Sequence, residues 1–157
     1  MQLNPRWEYV ADGVMGGVSK GGMSREMFRG RMAVILRGTV SLQNNGGFIQ
    51  IAFDVRRDNA EFNAGNWDGI ELDVCGNGER YDIRLRTDHL TRPWQSFRAE
   101  FTAPQDWQVL QVPFNTVIPH RTDAVFDPTK LRRIGILAIG REFHADVAVA
   151  GVRLYRA

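Results

Sequence analysis

Between Ile70 and Thr87 the sequence alternates in a way that extended chain satisfies and helix does not. Ile70, Leu72 and Val74 are interleaved with Glu71, Asp73 and Cys75, the period of two that gives a strand one buried and one polar face. Gly76-Asn77-Gly78-Glu79 supplies turn chemistry, and then Tyr81, Ile83 and Leu85 alternate with Asp82, Arg84 and Arg86. Two such runs across a short Gly-Asn-Gly turn predict an antiparallel hairpin. A third alternation from Trp94 to Phe101 sets Phe97, Ala99 and Phe101 against Trp94, Ser96, Arg98 and Glu100.

Further strands are expected around Arg31 to Arg37, Phe48 to Phe53, Gln108 to Val112, Ile134 to Ile139 and Ala145 to Tyr155. Gly46-Gly47 and Pro113-Phe114-Asn115 are among the connections that punctuate them. Helix is scarce, and its best candidate is one turn at Asp127-Pro128-Thr129-Lys130-Leu131, with Asp127 as cap and Pro128 at the first helical position. Many short strands with turn punctuation define an all-β sandwich or barrel. At 157 residues one domain covers the chain, 1–157, and a chain of this length buries a core without covalent staples.

Opposite charges set a register for the first hairpin. Pairing Cys75 with Asp82 brings Asp73 to Arg84 and Glu71 to Arg86, whereas the other register of the same parity sets Asp73 against Asp82. The same test on the next pair places Asp82 opposite Arg98, Arg84 opposite Ser96, and Arg86 opposite Trp94, where the guanidinium can stack on the indole. The expected outcome is a polar face of Glu71, Asp73, Arg84, Arg86, Trp94, Ser96 and Arg98. Such a face is either a solvated surface with paired charges or a platform on which Trp94 stacks against a ligand such as a sugar ring.

Composition limits the remaining functions. A net charge of +2 is small, and Arg56-Arg57 and Arg132-Arg133 are isolated pairs with acids nearby, so no nucleic-acid partner is expected. No run of 18 apolar residues occurs, so the chain is not expected to span a membrane. Cys75 is the sole cysteine, which excludes an intrachain disulfide and a cysteine zinc cage. The stretch Met1 to Trp7 has no apolar signal core, and with the lone thiol this leads us to expect a cytoplasmic protein.

No catalytic centre emerges. The Gly-rich run from Asp12 to Gly22 lacks Gly-Lys-Ser/Thr and G-x-G-x-x-G spacing, so its glycines serve a tight connection and not a phosphate. Glu71 and Asp73 stand two apart like an acid and a nucleophile, but arginine partners would keep both ionised. His89, His120 and His144 fall in connections without metal spacing and Cys75 has no assigned base; the loop carboxylates Asp12, Asp54, Asp58, Asp68 and Asp146 would build a structural calcium site only if the fold gathers them, which spacing alone does not show. We expect a binding module without enzymatic activity, cofactor or metal.

Trp7 followed by Asp12-Gly13-Val14-Met15-Gly16-Gly17-Val18-Ser19, then Gly46-Gly47-Phe48, then Trp67-Asp68-Gly69-Ile70-Glu71-Leu72-Asp73-Val74, resembles the family of complex I intermediate-associated protein 30 (CIA30). The resemblance continues through Gly76-Asn77-Gly78, Tyr81 to Thr87, Trp107 to Phe114 and Leu131 to Gly140. It implies a jelly-roll β-sandwich of the galactose-binding-domain-like type, similar to certain carbohydrate-binding modules. It also implies a non-enzymatic assembly factor or chaperone acting on a protein partner, in the mitochondrial relatives a subunit of respiratory complex I. Carbohydrate is the alternative ligand. The family-motif loop of Asp12, Gly13, Met15, Gly16, Gly17 and Ser19 is the most specific part. One departure is Asn77, where the family turn often carries an acid.

Overall fold

The computed structural model describes residues 1–157, the side chains of Val14, Met15 and Asn45 lying outside the described set. The strands are β1 (Glu8–Ala11), β2 (Lys20–Phe28), β3 (Arg31–Val40), β4 (Phe48–Asp54), β5 (Gly69–Gly76), β6 (Arg80–Thr87), β7 (Ser96–Thr102), β8 (Gln108–Pro113), β9 (Ile118–His120), β10 (Leu131–Ile139) and β11 (Phe143–Tyr155). They form two antiparallel sheets, a six-stranded one in the order β1-β4-β10-β6-β7-β9 and a five-stranded one in the order β2-β3-β11-β5-β8. This is the all-β jelly-roll sandwich that the alternations and turns led us to expect.

The core lies where the two inner faces meet. Ile70, Leu72 and Val74 of β5 and Val147, Val149, Val152 and Leu154 of β11 pack against Ile51 and Phe53 of β4, Ile83 and Leu85 of β6, and Ile134 and Ile136 of β10. Full burial of each such side chain contributes about 1.5–3 kcal/mol of transfer free energy. The 3-10 turn Pro128–Lys130 also forms as read, with the Asp127 carboxylate accepting the Thr129 amide hydrogen at 3.0 Å.

The first hairpin does not form. β5 and β6 belong to opposite sheets: β5 lies between β11 and β8, and β6 between β10 and β7. Gly76-Asn77-Gly78 is a corner between sheets, pinned where the Gly76 amide donates to the Pro104 carbonyl at 2.7 Å and the Gly78 amide to the Ala103 carbonyl at 2.9 Å. Gly78 takes a φ of +80°, and a Cβ on Gly76 would lie 2.7 Å from that of Ala103. Alternation tells which side of a strand is buried. Two strands facing one core from opposite sheets have the same alternation as two strands side by side.

Asn77 shows what its amide does at this corner. Its Oδ1 accepts the Tyr81 hydroxyl at 2.8 Å and its Nδ2 donates to the His144 carbonyl at 2.9 Å. The Tyr81 oxygen in turn accepts the Asp146 amide hydrogen at 2.9 Å, and burial pushes the phenol up to about 12. A carboxylate at position 77 has no hydrogen to offer the His144 carbonyl.

Three strands lay outside the sequence reading: β1, β2 and β9. The nine residues of β2 carry Gly21, Gly22, Ser24, Arg25 and Glu26, and the strand is largely exposed because it is the edge of its sheet. Its pattern therefore lacks the apolar face by which the interior strands announce themselves.

Candidate functional site

The family-motif loop is built around Asp12, which is fully buried. Residues Asp12–Met15 make one 3-10 turn, closed where the Gly16 amide donates to the Gly13 carbonyl at 3.2 Å and the Gly17 amide to the Asp12 carbonyl at 2.9 Å. Gly16 has a φ of +86°, as a glycine in a tight connection should. The Asp12 carboxylate accepts four hydrogen bonds: from the Ser19 hydroxyl at 2.6 Å, the Ser19 amide at 3.1 Å, the Gly47 amide at 2.6 Å and the Phe48 amide at 3.3 Å. The Ser19 oxygen accepts the Ser41 amide hydrogen at 2.8 Å.

Burial alone would raise the Asp12 carboxyl, but the hydrogen bonds from Ser19, Gly47 and Phe48 outweigh it and hold the group below its ordinary value. A Cβ on Gly17 would stand 2.7 Å from Asp12 Oδ1, and one on Gly46 2.9 Å from the Gly17 Cα. Gly17 and Gly46 thus let two loops close on one carboxylate. The loop's residues tie β1, β2 and the β3–β4 connection together; the Met15 side chain lies outside the described residues.

The expected polar face is divided between the two sheets. Arg84 and Arg98 stand opposite each other on the outer face of the six-stranded sheet, and Glu71 and Asp73 lie on the outer face of the other. On the first face the β6–β7 register is shifted by two residues from expectation, with Asp82 opposite Glu100 and Arg84 opposite Arg98. The long side chains still reach their expected partners diagonally. Arg98 grips Asp82 with Nε and Nη2, both at 3.0 Å, and Arg84 Nη1 donates to the Ser96 hydroxyl at 3.3 Å.

Arg84 also approaches Asp82 at 2.7 Å, so two guanidiniums converge on one carboxylate that is 4% exposed. Arg98 continues to Glu100 at 2.8 Å. His120, on β9 beside Ser96, is held below its ordinary value by burial first and then by the charges of Arg84, Arg121 and Arg98. Ala52 and Gly135, paired across β4 and β10, form a floor of small residues next to this cluster.

Arg86 and Trp94 do not stack. β7 begins at Ser96, leaving Trp94 in the β6–β7 connection, 55% exposed, with the Arg92 guanidinium 6.0 Å from its ring centre. Arg86 instead donates to the carbonyls of Arg92, Pro93 and Gln95, which fixes the path of that connection. Burial, then repulsion from Arg132 and Arg133, lowers its guanidinium from the ordinary value.

On the outer face of the five-stranded sheet the partner of Glu71 and Asp73 is Arg153 of β11. Its guanidinium binds Asp73 in a fork at 2.8 and 2.9 Å and reaches Glu71 at 3.5 Å. Gly151 faces Asp73 because a Cβ there would lie 2.7 Å from the carboxylate. Arg31 approaches Asp73 at 3.4 Å while lying 4.9 Å from the centre of the Trp107 ring. The Arg153 hydrogen bonds hold Asp73 below the usual carboxylate range despite its burial, with Arg31 adding to the effect. The run from Ala145 to Tyr155 signals Arg153 in sequence. Nothing local signals that it meets residues about eighty positions earlier.

The remaining chemistry-bearing groups are dispersed. Asp54 pairs with Arg133 at 3.0 Å, Asp58 with Arg56 at 2.6 Å and Asp146 with Arg37 at 3.2 Å, while Asp68 accepts the Ala157 amide hydrogen at 2.7 Å. Among the described residues no three His, Cys, Asp or Glu side chains gather as a metal group. Cys75 is buried beside Arg29 and the Gln105 carbonyl, and burial pushes its thiol up. His89 bonds the Thr87 hydroxyl at 2.8 Å. Among the described residues no helix is long and apolar enough to cross a membrane.

The two-sheet jelly roll is an architecture that solved structures share. A family 11 carbohydrate-binding module from Clostridium thermocellum, in complex with a β-1,3-1,4-mixed-linked tetrasaccharide, superposes with a TM-score of 0.77 at 12% identity, over 99% of this chain and 95% of that one. The family 30 carbohydrate-binding module of a cellulosomal cellulase of the same organism gives 0.61 at 14% identity, over 98% and 95%. An exo-β-agarase gives 0.60 at 7% identity, over 100% of this chain and 25% of that one. At such identities the likeness establishes the fold. The chain belongs to the complex I intermediate-associated protein 30 (CIA30) family, whose model matches residues 2–147. No curated protein sequence matches it.

Proposed function

We propose that this chain is a non-enzymatic assembly factor or chaperone that acts through protein–protein contacts, a respiratory complex subunit being the first partner to seek. The observation that carries this reading is the distribution of exposed apolar surface. Met23, Met27 and Met32 are 39%, 60% and 54% exposed on one face of the β2–β3 ribbon. Methionine and arginine are enriched in protein interfaces, and Arg25 lies on the same face. The outer sheet faces, by contrast, spend their arginines on their own carboxylates.

The test is affinity capture from the native cell with in-cell cross-linking. A defined assembly subunit cross-linked to the protein is the expected result, and recovery of no stable partner overturns the reading.

Carbohydrate binding is the second reading, favoured by the likeness to carbohydrate-binding modules and by Trp94, an exposed indole on a connection that Arg86 holds in place. Against it, Trp94 lies off the sheet. Calorimetric titration with neutral and acidic oligosaccharides, repeated on Trp94→Ala, decides it: no heat, or heat unchanged by the substitution, removes this reading.

A further inference from the structure

β2 ends its sheet: β3 pairs with it over all nine residues, and among the described residues no strand lies on its other side. An edge of this length without proline is a template for another chain unless something covers it. Met23 stands opposite Leu36, Arg25 opposite Val34 and Met27 opposite Met32, so these side chains share the inward parity of the core residues Val34 and Leu36. Yet they stand exposed. The ribbon continues past the cover that the six-stranded sheet provides.

Beside this overhang opens a cleft of about 350 Å³, lined by Leu3, Pro5, Trp7, Arg25, Met32 and Arg57. Arg25 and Arg57 enter no ion pair among the described residues, unlike the arginines of Asp82 and Asp73. Lys20 adds charge at one end of the free edge, and Glu26 on β2 is engaged by Arg37 at 3.7 Å. The overhang is therefore apolar, cationic and offers an unpaired strand edge in one place.

We infer that β2 receives an extended acidic–apolar segment of a partner protein as an added strand. Its backbone pairs with the free edge, its apolar side chains cover Met23, Met27 and Met32, and its carboxylates meet Arg25 and Arg57. Backbone pairing supplies affinity and the alternate side chains supply selectivity. A second copy of this chain is the poorer occupant, because it brings the same cations to the same edge. The inference rests on the protein-binding reading and specifies its surface and the chemistry of its partner.

The probe is a fluorescent decapeptide whose alternate positions carry Val, Glu and Leu on one face, matching Met23, Arg25 and Met27, with Thr at the positions between, titrated into the full chain. Two control peptides replace Glu with Lys or carry N-methyl groups on alternate amides. The expected result is saturable binding of the acidic peptide, at least ten-fold weaker binding of both controls, slowed hydrogen exchange of β2 amides, and a loss of ten-fold or more in Arg25→Glu/Arg57→Glu and in Met27→Lys/Met32→Lys. These exposed substitutions leave the core intact, which circular dichroism verifies. Equal binding of all three peptides, protection elsewhere, or β2-dependent self-association in sedimentation overturns the inference. If native capture survives Arg25→Glu/Arg57→Glu undiminished, the protein-binding reading stands and this surface falls; if no partner is captured by either form, the reading itself falls.

Discussion

Asp12 and Asp82 are both buried carboxylates, and the molecule compensates them by opposite means. Asp12 accepts the amides of Ser19, Gly47 and Phe48 and one hydroxyl, with no cation in contact among the described residues. Asp82 is clasped by Arg84 and Arg98, whose side chains are partly open to solvent. Amides are fixed to the path of the chain, so the first arrangement determines where two loops run. Guanidiniums end flexible stems that leave a β-ladder already formed, so the second decorates a surface whose shape the strands have set. The family motif is in this light a device for folding, whereas the arginines of the outer face are taken up by Asp82.

The largest expected effect is therefore at the loop. Asp12→Ala strips acceptors from three backbone amides and the Ser19 hydroxyl, each worth about 1–3 kcal/mol when buried and unpaired, and should lower the unfolding free energy by about 3 kcal/mol in urea denaturation. Gly17→Ala presses a methyl group onto the same carboxylate and should cost about 2 kcal/mol by overpacking. Asp82→Ala leaves Arg84 and Arg98 facing each other without their shared acid, and a loss of about 1–2 kcal/mol is expected because both can turn toward water. If Asp82→Ala proves costlier than Asp12→Ala, the contrast is wrong.

Acid titration sharpens the same comparison. The Asp12 and Asp73 carboxyls sit below their ordinary values in the folded chain. Their stabilisation is complete above the unfolded-state value of about 3.9 and is lost as pH falls through the depressed folded values. The parent should thus lose stability as pH falls below about 4 more steeply than Asp12→Asn does, measured by denaturation at each pH. The smallest effect is expected at Trp94→Ala, within about 0.5 kcal/mol of the parent, since the ring is exposed and its connection is held through Arg86.

Parity was legible in the sequence. Ile70, Leu72 and Val74, and equally Tyr81, Ile83 and Leu85, face the core as their alternation requires, and Glu71, Asp73, Arg84 and Arg98 face away from it. The motif from Asp12 to Ser19 was legible as a family feature but not as a carboxylate staple, because its partners Gly47 and Phe48 are more than thirty residues distant. The Met23–Met27–Met32 overhang escaped notice since its side chains have core parity without a core above them.

Side-chain period along a strand is local, fixed by backbone geometry two residues at a time, and the sequence alone determined it. Sheet membership is decided by contacts across the whole chain. The turn after β5 could return the strand beside itself or carry it across the sandwich, and either course buries the same apolar residues. Only the tertiary structure set β11 beside β5, gave Arg153 to Asp73 and left Arg84 and Arg98 to Asp82. It likewise left β2 at an edge, where a residue's exposure depends on which strand is missing beside it.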